Sequence, residues 1–207
     1  MSESPRKINW YPGHMAKTRR QLQEQIRRID LIIEICDARI PYSSRNPELD
    51  DLAAGKRHML FMNKSDLADP VASDKWIHNF QAEGTETYLV NASRLKNKEV
   101  ISLIDQATRE IVEKALNKGV RKIVKAMIVG IPNVGKSTLI NHLYGRNMSQ
   151  SGDRPGVTRS NQWVKVSPYL ELLDTPGLLW PRLDDQNAAK KLCYIGSIKD
   201  DVIDLYD

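Results

Sequence analysis

Gly130, Gly135, Lys136 and Ser137 stand at the spacing G-x-x-x-x-G-K-[ST], directly behind the apolar run 126–129. Glycine is required where a loop wraps a phosphate, because a side chain would block both the approach and the backbone angles. The loop amides then point inward, and a helix beginning near Lys136 adds the positive end of its dipole. In such a loop Asn133, Val134, Gly135, Lys136, Ser137 and Thr138 would surround the phosphates. Lys136 would reach the β- and γ-phosphates during catalysis, and the Ser137 hydroxyl would ligate Mg²⁺.

Three further stretches carry related chemistry. Asn63-Lys64-Ser65-Asp66 fits the base-reading pattern N-K-x-D. A carboxylate at Asp66 can accept from both N1–H and N2–H₂ of guanine, whereas adenine has no donor at either place. Asn63 can reach N7 and O6, and the Lys64 stem can lie along the base. Asn91-Ala92-Ser93 supplies a backbone amide near guanine O6. Asp174-Thr175-Pro176-Gly177 fits D-x-x-G, with Asp174 a Mg²⁺ ligand through water and Gly177 sensing the γ-phosphate. Thr158 is the candidate for a switch threonine that closes over the metal only when the γ-phosphate is present. Each pattern is modest alone. Four at successive strand ends point to a guanine-nucleotide hydrolase.

The elements needed to position these residues are legible in the hydrophobic pattern. Runs 30–36, 58–62, 85–90 and 126–129 read as buried parallel strands, and 162–166 with 169–173 as two adjacent strands. Helices are expected from about 15 to 28, after Asn46-Pro47, over 74–83 with Gly84 as a stop, over 99–116, behind the phosphate loop, and over 187–192. Strand alternating with helix means a three-layer α/β/α fold around a mostly parallel sheet, whose strand ends bind ligands. Residues 1–29 are expected to form a basic, aromatic N-terminal motif and helix, 30–195 the nucleotide-binding domain, and 196–207 the start of a helical region.

Composition narrows the class. Hydrophobic residues make up 41% and charged residues 28% of the 207, as in an ordinary globular chain. No apolar run approaches the ~20 residues of a membrane span, and no apolar segment follows the first basic residues, so a cytoplasmic protein is expected. Cys36 and Cys193 both lie in or near apolar stretches and read as buried thiols. The net charge of +5 is unevenly spread, with basic clusters at 6–28 and 114–125 that suit a polyanion or simply solvate a face.

The motifs run in an unusual order, with the base-reading loops first and the phosphate loop third. In this the chain resembles the circularly permuted GTPases, and closely those of the ribosome biogenesis GTPase A type. The resemblance rests on Trp10-Tyr-Pro-Gly-His-Met-Ala-Lys17, Asp37-Ala-Arg-Ile-Pro41, the N-K-x-D and phosphate loops, Asp153-Arg-Pro-Gly-Val-Thr158 and Asp174-Thr-Pro-Gly177. It covers essentially everything from Ile8 onward. It implies a slow, partner-stimulated GTPase, binding GTP and GDP with Mg²⁺, that acts as a monomer on the RNA and proteins of the large ribosomal subunit late in assembly. It also implies a C-terminal RNA-binding helical domain, of which residues 196–207 would be only the start. Leu178 and Leu179 follow D-x-x-G where Ras-like enzymes carry a water-orienting Gln, so water must be oriented from elsewhere. His14 is the candidate, a role weighed against that of a capping residue in a packed turn. Asn133 sits where potassium-activated GTPases carry an Asn that ligates K⁺, although a loop Asn can also bond its own backbone. The alternatives from other classes are a nucleotide-gated scaffold, a component of an RNA-modifying enzyme, and a stress-signalling GTPase.

Overall fold

A computed structural model describes residues 23–144, 162–175 and 186–197. Six strands form one sheet: β1 (Leu31–Asp37), β2 (Arg57–Asn63), β3 (Glu86–Leu89), β4 (Val124–Val129), β5 (Gln162–Ser167) and β6 (Leu170–Asp174). They lie in the order β3-β2-β1-β4-β6-β5. All neighbours pair in parallel except β5 with β6, which form a hairpin through the short turn at Pro168. The helices are α1 (Glu48–Leu52), α2 (Pro70–Ala82), α3 (Asn97–Leu116), α4 (Lys136–Tyr144) and α5 (Gln186–Tyr194). Residues 23–26 are also helical.

From β1 the chain builds outward through β2 and β3, then α3 returns it to the other side of β1 to lay down β4. The strand order therefore reverses between β1 and β4. In an open parallel sheet, that is where a crevice opens at the carboxyl ends of the strands. Hydrophobic residues explain the layers. Ile33, Ile35, Phe61, Ile128 and Leu172 point to one face, where they meet Ile104 of α3, Leu139 of α4 and Leu192 of α5. Ile32, Met127 and Leu173 point to the other, against Ile26, Ile29 and Leu49. Cys36, Leu60 and Met62 extend that second face against Phe80 of α2. Both cysteines are buried thiols in no disulfide, as the apolar context predicts. Among the described residues, no helix is long and apolar enough to cross a membrane.

Most boundaries fall within two residues of expectation, and the larger shift at α2 and the earlier start of β4 have local reasons. Helix α2 begins at Pro70 rather than at 74, because Asp69 caps it, its Oδ1 accepting from Ala72 N at 2.7 Å with Pro70 in the first turn. Strand β4 begins at Val124 rather than at 126, inside the second basic cluster, because Val124 N donates to Tyr169 O at 2.8 Å and its side chain is buried.

All seven residues of β1 are buried, including Glu34. That carboxylate accepts from Arg45 Nε at 2.9 Å and from Asn46 N at 3.1 Å. His58 Nε2 lies 3.2 Å away, an ion-pair distance without hydrogen-bond alignment. The Arg45 guanidinium lies over the Phe80 ring, 5.1 Å from its centroid. Burial pushes the Glu34 carboxyl up, but His58 and Arg45 together outweigh it and hold it below its ordinary 4.5. Its stabilising contribution is thus complete above that value and is lost as the pH falls beneath it. Arg45→Met keeps the packing volume but strands the carboxylate, and should cost about 3–5 kcal/mol in chemical denaturation at pH 7. A loss under about 1 kcal/mol would show that Glu34 does not depend on this partner.

Candidate nucleotide-binding cleft

The loops at the carboxyl ends of β2, β3 and β4 converge on a cavity of about 480 Å³. Asn63, Lys64 and Asp66 line one wall, Asn91, Ala92 and Ser93 a second, and Asn133 with the segment Gly135 to Thr138 the third. Three motifs separated by up to 75 positions in the chain thus face one space, as their placement at strand ends requires.

The phosphate loop is built around its glycines. At Gly130 (φ +155°) a Cβ would collide with the Ile35 carbonyl of β1, and at Gly135 (φ +103°) with Nδ2 of Asn63. Any larger residue would push the loop off the sheet or break its tie to β2. Val134 packs its side chain in the core, so only its backbone is available to a ligand. Lys136 is 7% exposed, and its Nζ donates to Ile131 O at 2.7 Å, which curls the loop around its own lysine. Burial lowers the Lys136 ammonium to about 8, against a smaller opposing pull from Asp174. Asp174 itself is 2% exposed. Next to it, Thr175 Oγ1 donates to Ile128 O at 2.7 Å, fastening the end of β6 to β4.

Asn63 is the joint between the base-reading and phosphate loops. Its Nδ2 donates to Val134 O at 2.8 Å, and its Oδ1 accepts from Ala92 N at 2.8 Å. One carboxamide, 4% exposed, thereby holds three loops together and keeps one further N–H for a ligand. The amides expected near O6 are engaged within the protein, Ala92 N with Asn63 and Ser93 N with Asn91 Oδ1 at 3.1 Å. A guanine O6 would have to share them. Lys64 adopts a left-handed backbone (φ 63°), and its Nζ donates to Asn133 O at 2.8 Å. Asp66 is exposed on the cavity wall in the turn Ser65–Leu67. Asn133, also left-handed (φ 62°), donates through Nδ2 to Gly196 O, leaving its side-chain oxygen for another partner.

Among the described residues, no group of three or more His, Cys, Asp or Glu side chains could hold a metal ion. Mg²⁺ is commonly held by one or two protein oxygens plus phosphates, the coordination for which Ser137 and Asp174 are the expected protein ligands. His14, Thr158 and Gly177 lie outside the described residues. Two contacts had no role in the sequence reading. Asp37 at the end of β1 accepts from Lys64, and Ser197 Oγ donates to Pro132 O at 2.7 Å, so the chain leaving α5 is fastened to the phosphate loop. An Asp at a strand terminus beside N-K-x-D could have signalled the first; nothing in the sequence signals the second.

Residues 125–204 match the family model described as a 50S ribosome-binding GTPase. The chain is 45% identical over 203 residues to ribosome biogenesis GTPase A of Priestia megaterium, covering 97% of this chain and 70% of that protein. It is 37% identical over 204 residues to mitochondrial ribosome-associated GTPase 1 of Bos taurus, covering 94% and 61% respectively. Its fold is similar to the crystal structure of GNP-bound YlqF from T. maritima, at a TM-score of 0.67 and 26% identity, over 91% of this chain and 69% of that one.

The buried lysine sets a pH dependence. Without phosphate the Lys136 ammonium is held near 8, and a polyphosphate restores its preference for the charged form, so binding takes up a proton at higher pH. GDP affinity should be level below pH 7 and about tenfold weaker at pH 9. A flat profile by calorimetry would mean that the ammonium is not buried in the free cleft. Without nucleotide the sign for folding is opposite: the burial penalty acts in full below about 8 and fades as pH rises toward 10.5. Gly135→Ala should abolish GDP binding while leaving the fold, because the collision falls on Asn63 and not on the core.

Proposed function

The chain belongs to the ribosome biogenesis GTPase A family and is a GTP-hydrolysing enzyme; from that premise we propose that its GTP cycle times a late step in assembly of the large ribosomal subunit. The observation carrying the nucleotide side is the Asn63 joint, which brings a guanine-reading loop and a phosphate loop into one cleft. The relatives' names support the ribosomal side. So does an exposed basic surface, Arg27 and Arg28 on one face and Lys114, Lys118 and Arg121 along the end of α3 and beyond it. Such side chains neutralise RNA phosphates and make binding salt-sensitive.

In this reading Asp66 accepts from guanine N1–H and N2–H₂, with Asn63 and the 91–93 loop around O6 and N7. The amides of Asn133 to Thr138 cradle the phosphates. Lys136 leaves the Ile131 carbonyl for the β- and γ-phosphates, exchanging one acceptor for a charged one. Ser137 and Asp174 hold Mg²⁺, which when bound neutralises charge between those phosphates. Thr158 and Gly177 respond to the γ-phosphate and pass its presence to the partner surface. Leu178 can neither donate nor accept, so we assign orientation of the attacking water to His14. Asn133 supplies an oxygen for K⁺, a fixed positive charge in place of an arginine finger. We further infer a monomer working in the cytoplasm on ribosomal RNA and protein.

Turnover of GTP with and without purified large subunits, in K⁺ and again in Na⁺, tests the proposal. Stimulation in K⁺ that is weaker in Na⁺ is expected; no stimulation would overturn the ribosomal assignment, and equal rates would remove K⁺. His14→Ala should retain GTP affinity while subunit-stimulated turnover falls about 10²-fold or more, the size of a general acid–base contribution. An unchanged stimulated rate would exclude His14 from catalysis.

A further inference from the structure

The motif Asp37-Ala38-Arg39-Ile40-Pro41 has no part in the chemistry above, yet its first residue is among the most completely buried charges in the molecule. Asp37 ends β1 with no exposed surface. Its carboxylate accepts from Arg39 three times: from the backbone N at 3.1 Å, from Nε at 2.8 Å and from Nη2 at 2.7 Å. The side-chain pair is a two-pronged guanidinium–carboxylate contact, which fixes orientation as well as charge. Oδ2 also lies 3.0 Å from Lys64 Nζ. The surroundings are rigid. Ala38 N donates to Asn63 O at 2.8 Å, and Asp37 N donates to Ser44 Oγ at 2.9 Å. Burial pushes the Asp37 carboxyl up, but the hydrogen bonds from Arg39 and Lys64 prevail and hold it below its ordinary value.

Lys64 is therefore held at both ends. Its backbone sits in the left-handed turn after β2, and its ammonium is shared between Asp37 Oδ2 and the Asn133 carbonyl of the phosphate loop. The methylene stem must span the distance between them, along the wall of the cleft and one quarter exposed. A free lysine would lose its rotamer freedom on meeting a base, whereas this one has lost it before any ligand arrives. We propose that Asp37, clamped by Arg39, is a positioning residue for base recognition: it pins the Lys64 ammonium against the phosphate loop so that the Lys64 stem forms a ready-made platform for the guanine ring. The same contact couples base and phosphate sites, since a shift of either loop moves the shared ammonium. This inference rests on the guanine-nucleotide reading of the cleft.

A double-mutant cycle on GDP affinity tests it, using the full chain, a fluorescent GDP and the melting temperature as a folding control. Asp37→Asn and Lys64→Met should each weaken GDP binding about tenfold, and the double variant should also lose about tenfold, because both remove one interaction. A merely structural Asp37 would instead give losses that multiply to about a hundredfold. That result, or Asp37→Asn binding like the parent, would overturn the clamp. Should Asp37→Asn fail to fold, Arg39→Ala replaces it in the cycle. It should weaken GDP binding a fewfold when Lys64 is present and have no effect beside Lys64→Met; an equal effect in both backgrounds overturns the clamp. A parent chain that binds no GDP would overturn the reading of the cleft itself, and the clamp with it.

Discussion

The carboxamide of Asn63 is the contact on which the cleft depends. It sits at the end of β2, almost without exposure, with one end bonded to the phosphate loop and the other to the loop after β3. Leaving either end unpaired in that setting would cost about 1–3 kcal/mol. Three loops therefore keep a single mutual arrangement. The constraint reaches back into the sequence: position 135 must be glycine because Asn63 occupies the space of a Cβ. It also reaches forward, since the carbonyl that Asn63 holds belongs to Val134, whose side chain is buried in the core.

Strand β1 shows a second organising principle. It is an interior strand of the sheet, buried along its whole length, and yet carries two carboxylates. Each is matched by an arginine from the following loop, Glu34 by Arg45 and Asp37 by Arg39. An unpaired charge there would be prohibitive, so the loop 38–46 must fold back over the end of the strand to supply both cations. The two pairs serve different ends. Glu34 anchors the face under α1 and α2, through Arg45 on Phe80, whereas Asp37 is linked to the cleft wall through Lys64.

Permutation of the motif order is tolerated because the sheet, not the chain path, defines the cleft. Helix α3 carries the chain from the edge strand β3 across to β4, so that the phosphate loop arrives beside β1 as the reversal of strand order demands. The chain leaving α5 then returns to the phosphate loop, where Gly196 O and Ser197 Oγ meet Asn133 and Pro132. The segment after α5 is thus in direct contact with the glycine loop between β4 and α4.

Much of this was legible from residue types alone. The apolar runs at 30–36, 58–62 and 126–129 read as buried strands, because they are short, rich in β-branched residues and lack a polar face, and the glycine spacing around Lys136 suits a phosphate behind one of them. The parallel α/β/α architecture followed from local pattern, and the three motifs that meet at the cavity could be picked out because each is a short contiguous stretch. Tertiary structure decided what contiguous pattern cannot carry. That Asn63 faces Val134 and Ala92 rather than a ligand alone, that Lys136 is buried against Ile131, that Asp37 holds Lys64, and that Ser197 reaches Pro132 are all meetings of distant residues. Which polar groups satisfy one another in a buried space depends on the register and order of strands. Those are set only when the whole sheet has closed around its core.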